Sequence, residues 1–206
     1  MAIRTAVVNE ALTWLHQPQS AGVDDDTDSL VVRLRSAFTQ RAEIFLESYP
    51  WNFAKTVELL AQTASASGFE GWDYGFVKPA GCYRIIKVDN QADMRKRPNI
   101  PFEERGGLIC TNNETTYLAY VDGSYATSDT GSWPKIVQSA LALDLADMHA
   151  ASLDLAQTKM DKLTQRALKV MKDAKRWDAQ QNQTYEPPMT SWQRARLSGG
   201  SYRRDG

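Results

Sequence analysis

The strongest constraint in this sequence is the placement of its helical periodicity, which occurs at both ends of the chain and not between them. Apolar residues recur every three or four positions in residues 3–15, 31–49, 136–155 and 163–177, as on one face of an α-helix. Residues 51–132 instead contain short runs rich in β-branched and aromatic residues, separated by turn residues. Helices from both chain ends must therefore pack together across an inserted β unit.

This pattern predicts an α+β protein, mainly α, in which a helical bundle is built from both ends of the chain. The predicted bundle comprises residues 1–50 and 133–182, and a small antiparallel β domain is inserted at residues 51–132. The last residues, 183–206, contain Pro187-Pro188 and Gly199-Gly200 and have no periodic apolar face. We predict that they form a flexible, extended C-terminal arm.

Composition and motifs argue against several classes of protein. The chain has a net charge of −1, which gives no general reason to expect binding to nucleic acid or to a membrane surface. No apolar run approaches the roughly 20 residues that a membrane span needs, so we expect no membrane span. The motifs GxSxG, GxxxxGK[ST], GxGxxG and HExxH do not occur. Cys82 and Cys110 lack metal-site spacing, and we expect reduced, buried thiols. The sequence thus indicates no enzyme, no metal site and no cofactor.

A cluster of aromatic residues stands where the second helix should give way to the β unit. Pro50 disfavours helix at Tyr49, so the helix should end there. Trp51 and Phe53 follow at once, and together with Tyr49 they carry too much apolar surface for a solvated loop. We expect this corner, residues 49–53, to fill the junction between the helical and β layers.

The last two helices carry the most distinctive charge pattern. One stripe of the third helix is acidic, with Asp144, Asp147 and Asp154. One stripe of the fourth helix is basic, with Lys159, Lys162, Arg166, Lys169, Lys172 and Arg176. Three interpretations are open: a solvated face, pairing of the basic stripe with the acidic stripe of a neighbouring subunit, or sequence-independent contact with DNA phosphates.

The C-terminal arm is rich in residue types that dominate protein interfaces. These residues are Trp192, Arg194, Arg196, Tyr202, Arg203 and Arg204. Trp, Tyr and Arg are enriched at interface hot spots, and a disordered segment of this kind can fold on binding a partner. The alternative is a chain end without a binding role.

Three short motifs, in this order, resemble a known family. They are Tyr-Pro-Trp-Asn-Phe-Ala at residues 49–54, Pro-Ala-Gly-Cys-Tyr-Arg-Ile at residues 79–85, and Ser-Trp-x-x-Ala-Arg at residues 191–196. Together with the order of helices and strands, they are similar to the tail tubular protein A family of tailed phages, the head-to-tail adaptor (connector) proteins. The resemblance covers nearly the whole chain.

The resemblance implies a structural role. Adaptors of this family form a ring, usually dodecameric, under the portal at the vertex where DNA leaves the capsid, and DNA passes through the ring. They connect the capsid to the tail tube or nozzle, so the expected location is the head–tail interface of the virion, after synthesis in the host cytoplasm. The family has no catalytic residues to carry over.

The resemblance also suggests a use for the arm and leaves one alternative function. By position, the arm residues Ser191, Trp192, Arg194, Arg196 and Tyr202 are candidates for docking on the portal protein. The β domain is a candidate for contact with the neighbouring subunit or the tail. The alternative is a DNA-binding accessory protein that uses the basic last helix without sequence preference.

Overall fold

The computed structural model describes residues 3–19, 29–63, 71–94, 99–127, 133–153 and 155–181. The helices are α1 (Ile3–Trp14), α2 (Ser29–Ser48), α3 (Ser124–Thr127), α4 (Lys135–Ala150) and α5 (Gln157–Gln180). The strands are β1 (Lys55–Leu59), β2 (Tyr74–Val77), β3 (Cys82–Asp89), β4 (Glu103–Arg105), β5 (Leu108–Thr111) and β6 (Tyr117–Asp122). Helices and antiparallel sheets occupy separate parts of the chain, so the protein has the predicted α+β class.

Helix α4 lies at the centre of the helical part. It contacts α1, α2 and α5, and nine of its sixteen residues are buried. A helix that is apolar on nearly every side is expected to be surrounded by other elements. Helices α1, α2 and α5 each bury a narrower stripe against it, which in α2 includes Leu34, Phe38 and Phe45 from the periodic range 31–49.

The predicted extent of the third helix was wrong at its C-terminal end. Helix α4 ends at Ala150, and a 3₁₀ turn (Ala151–Leu153) leads to α5. Leu155 therefore does not belong to α4, and Met148, which lies within the periodic range 136–155, is 43 % exposed. The segment between the two helices contains neither Gly nor Pro, so the apolar period continued through the break without a stop signal.

At one end of the helical part, which we call the far end, the end of α1 contacts α5, and the end of α4 lies near the start of α2. The guanidinium of Arg166, in the first half of α5, lies 4.2 Å from the centre of the Trp14 ring at the end of α1. His149, near the end of α4, lies within the electrostatic influence of Arg33 at the start of α2. The opposite end, where α2 and α5 finish, joins the β strands.

The far end should make stability depend on pH through His149. Burial, and secondarily the charge of Arg33, lower the pKa of this imidazole in the folded state. Because the folded state favours the neutral imidazole, its contribution to the free energy of unfolding is fully present above the unfolded pKa of about 6.5. This contribution is lost as the pH falls from there through the lower pKa of the folded state. We expect the free energy of unfolding to fall less between pH 7.5 and pH 5 in His149→Gln than in the wild type, as measured by urea denaturation. An identical pH dependence in the two proteins would contradict this.

The β strands form two three-stranded antiparallel sheets with a core between them. Their orders are β1-β6-β3 and β2-β5-β4. A bridge between Gln62 and Phe76 links the sheets on one side, and the Ile100 N–H donates to the Val88 carbonyl (3.1 Å) on the other. The buried core comprises Leu60, Phe76, Cys82, Val88, Ile109, Leu118 and Tyr120. Cys82 and Cys110 are free and buried, as expected.

Strand β4, Glu103–Arg105, is not one of the β-branched and aromatic runs that indicate strands in the sequence. It pairs with β5 through a two-residue turn at Gly106 and Gly107, whose φ angles are +57° and +79°. Positive φ at both positions is the requirement of a type I′ hairpin turn, which glycine meets without steric cost. The two glycines indicate a turn, but a strand of three charged residues gives no apolar alternation to detect.

The start of β3 is fixed on α2 by two polar contacts. The hydroxyl of Tyr83 donates to the Glu43 carboxylate (3.1 Å), and the guanidinium of Arg84 donates to the Glu47 carbonyl (2.8 Å). The Tyr83 ring also covers Gly123, where an added Cβ would lie 2.3 to 2.6 Å from three ring atoms. Gly123 thus lets the turn after β6 approach the ring that joins sheet and helix.

Gly123→Ala is expected to lower the free energy of unfolding by about 1–3 kcal/mol, because the new methyl group must displace the Tyr83 ring. Guanidinium chloride denaturation measures the loss. In a Tyr83→Ala background the same substitution should cost much less, because the ring is gone. An equal cost in both backgrounds would show that the close approach is not the cause.

Candidate functional site

The aromatic corner lies inside the helical core. Helix α2 ends at Ser48, and the Trp51 ring folds back to stack on Phe45, with centroids 4.7 Å apart and planes 7° from parallel. The Trp51 indole N–H donates to the Phe45 carbonyl (2.9 Å), which lies among the last four carbonyls of α2 and also accepts from the Ser48 hydroxyl (2.7 Å). Trp51 is fully buried, and Tyr49 packs edge-on against it.

Further rings extend this cluster to other parts of the chain. Phe53 packs against Trp51, against Trp133 just before α4, and against Tyr125 in α3. Phe45 also contacts Trp133, with ring centroids 6.0 Å apart. The cluster therefore joins the end of α2, the entry to β1 and the entry to α4. Pro50 lies at the bend and is half-buried.

A buried carboxylate near the end of α5 binds the backbone of the aromatic corner. Asp178 is fully buried and accepts hydrogen bonds from the backbone N–H groups of Asn52 (2.8 Å) and Phe53 (3.2 Å). The Asn52 side-chain amide donates to the Asp178 backbone carbonyl (3.0 Å) and to its carboxylate (3.1 Å). These bonds offset the unfavourable position of a negative charge near a helix C-terminus.

Asp178 was missed in the sequence, although a signal was present. The buried residues Leu163 and Ala174 lie on one face of α5, and Asp178 follows Ala174 by four positions. The predicted face ended instead at Trp177, which is half-buried. A carboxylate on the buried face of a helix needs hydrogen-bond donors, and the backbone N–H groups of a turn after a proline can supply them.

The acidic residues of α4 do not form a free stripe. Asp144 makes a two-point ion pair with Arg41 of α2 (2.8 and 2.6 Å), and its hydrogen bond raises the pKa of Arg41. Asp147 accepts a hydrogen bond from the Thr164 hydroxyl of α5 (2.6 Å). Asp154 was predicted on the same helix, but α4 ends before it, and it lies outside the described residues. The two described acidic groups, Asp144 and Asp147, thus make contacts within the chain.

The basic stripe of α5 faces solvent along its whole length. Its members are Lys159, Lys162, Arg166, Lys169, Lys172 and Arg176, all of them exposed. None forms an ion pair with a carboxylate in the part of the chain that the structure describes. At about 1.5 Å per residue, the stripe extends over roughly 25 Å. Beside it, the side chain of Leu168 is 68 % exposed.

The arm residues Ser191, Trp192, Arg194, Arg196 and Tyr202 lie outside the described residues. Within residues 3–181, apart from the gaps given above, no three His, Cys, Asp or Glu side chains are grouped as metal ligands would be. The described helices include none that is both long and apolar enough to cross a membrane. Comparison with known proteins finds no family model and no curated protein that matches this chain.

Proposed function

We propose that this protein is a structural head-to-tail adaptor of a tailed bacteriophage. Copies of the chain form a ring, dodecameric by the family resemblance, that docks under the portal protein. The ring connects the capsid to the tail tube or nozzle and lets DNA pass, and the protein carries out no catalysis. Its place is the head–tail interface of the virion.

The observation that carries the proposal is the position of the motifs that resemble the adaptor family. Residues 49–54 bind the end of α5 through Asp178, and residues 79–85 place β3 on α2 through Tyr83 and Arg84. Both motifs therefore build the joint between the helical part and the β sheets. A protein that connects two large assemblies needs a stiff joint, because heterologous contacts close into a ring only at a fixed angle.

The same proposal includes a finer description of the fold. We infer a helical bundle made from both chain ends, with the β unit as an insertion. Support comes from the contacts of α4 with α1, α2 and α5, which bring together helices from both sides of the strands in sequence. The two apolar cores, one formed mainly by the helices with Val121 of β6 and one between the two sheets, also agree with two structural units.

The mass of the complex with the cognate portal tests the proposal. Light scattering should give a mixed particle that contains as many adaptor copies as the portal has subunits, because matched symmetry lets many modest contacts add. A variant that ends at Tyr185 lacks the candidate portal residues and should bind at least about tenfold more weakly. A full-length chain that does not associate with the portal would contradict the proposal.

The alternative, a DNA-binding accessory protein, is supported by the exposed basic stripe of α5, which forms no ion pair with a carboxylate of the described residues. Such binding would depend steeply on salt, and each lysine removed from a phosphate contact should lower the salt slope by about one. Duplex DNA titrations at two salt concentrations, with wild type and Lys169→Gln, test this. A weak affinity that does not change with salt would exclude the alternative.

A further inference from the structure

We propose that a cleft between α1 and α5 binds an acidic peptide segment of a partner protein and takes up one apolar side chain of that segment. The cleft has a volume of about 230 Å³ and lies at the far end, away from the joint. It is lined by Trp14, His16, Leu155, Lys159, Lys162, Leu163 and Arg166. The inference is independent of the ring, because it concerns a surface of the single chain.

The lining combines an apolar floor with a basic rim. Trp14, Leu155 and Leu163 supply the floor, and Leu163 is buried beneath the helix. Lys159, Lys162 and Arg166 are exposed above it. The Arg166 guanidinium lies 4.2 Å from the centre of the Trp14 ring, so its charge is held at the cleft rather than free in solvent.

A further feature makes the cleft attractive to carboxylates. The first turn of α5 contains no acidic residue, and Ala156 at its N-cap provides no side-chain cap. The positive end of this long helix therefore adds to the charge of the lysines.

Size favours a peptide over a free small molecule. Small-molecule sites occupy about 300–1,000 Å³, more than this cleft provides. Its volume suits one large side chain, and interfaces commonly anchor such a side chain in a pocket ringed by polar contacts. Duplex DNA would offer phosphates to the rim, but its stacked bases would leave the floor without a protruding apolar group. An apolar residue flanked by carboxylates would place its side chain on the floor and its negative charges beside the rim.

The first test is titration of ¹⁵N-labelled protein with two synthetic peptides. One is acetyl-Glu-Glu-Phe-Glu-Glu-amide, and the other has Ala in place of Phe. The Trp14 indole N–H signal, identified by its loss in Trp14→Phe, should shift on binding, with about tenfold weaker affinity for the Ala peptide. Equal affinities, or no shift of this signal, would overturn the inference.

A matched pair of variants separates the cleft from general charge attraction. Lys159→Gln with Lys162→Gln removes two charges from the rim, and Lys169→Gln with Lys172→Gln removes two from the same helix outside it. All four side chains are exposed, so both variants should fold. We expect about tenfold weaker binding of the Phe peptide in the first variant and less than about twofold in the second. Equal weakening in both would assign the attraction to the whole stripe and overturn the inference.

Discussion

Asp178→Ala is expected to lower the free energy of unfolding by about 3–4 kcal/mol. The substitution leaves the backbone N–H groups of Asn52 and Phe53 without their acceptor inside the aromatic corner. Hydrogen bonds to a charged group contribute about 1.5–3 kcal/mol each, and buried donors left alone add a desolvation cost. Guanidinium chloride denaturation measures the change, and the dependence of the free energy on denaturant concentration (the m value) should be the same as in the wild type.

The matched control is Asp173→Ala, which removes a half-buried carboxylate of the same helix that makes none of these contacts. We expect a change below about 0.5 kcal/mol there. Asp178→Asn should fall between the two, because its amide oxygen can accept one N–H while its amino group opposes the other. Similar small losses for Asp178→Ala and Asp173→Ala would show that the buried carboxylate does not hold the corner.

Trp51→Ala is expected to be the most destabilising single substitution, at about 3–5 kcal/mol. It removes the largest fully buried side chain, empties the space between Phe45, Tyr49 and Phe53, and leaves the Phe45 carbonyl without its indole donor. The lost burial and the resulting cavity both contribute. Thermal and chemical denaturation give the magnitude.

A graded series assigns the loss to its causes. Trp51→Phe keeps much of the ring packing but removes the N–H donor, so we expect about 1–2 kcal/mol. Trp177→Ala truncates a half-buried tryptophan of α5 and should cost less than Trp51→Ala. If Trp177→Ala were as costly as Trp51→Ala, the corner would have no special role in stability.

The sequence predicted well what depends on periodicity. Helix α2 and the buried positions Val31, Leu34 and Phe38 follow from a three- and four-residue spacing, and the strands from short β-prone runs between turns. The end of α4 was misplaced because the local sequence contains no helix-breaking residue. A local sequence pattern can locate the end of a helix only where the sequence contains a start or stop signal.

The candidate site was predicted less completely, because its contacts join distant parts of the chain. Asp178 lies 126 positions from Asn52, so no local rule pairs a helix-end aspartate with a turn after a proline. Asp144 was assigned to a surface stripe, yet it pairs with Arg41 from another helix. The cleft between α1 and α5 depends in the same way on two helices from opposite ends of the chain.

Imaging of the chain with its cognate portal tests the central claim most directly. Purified portal and adaptor, mixed and viewed by negative-stain electron microscopy, should show a second ring stacked coaxially under the portal. The substitution Asp178→Ala weakens the joint between the helical part and the β sheets. It should reduce the number of stacked rings if ring closure needs a fixed angle at this joint. Portal rings that stay bare at saturating wild-type protein would contradict the account.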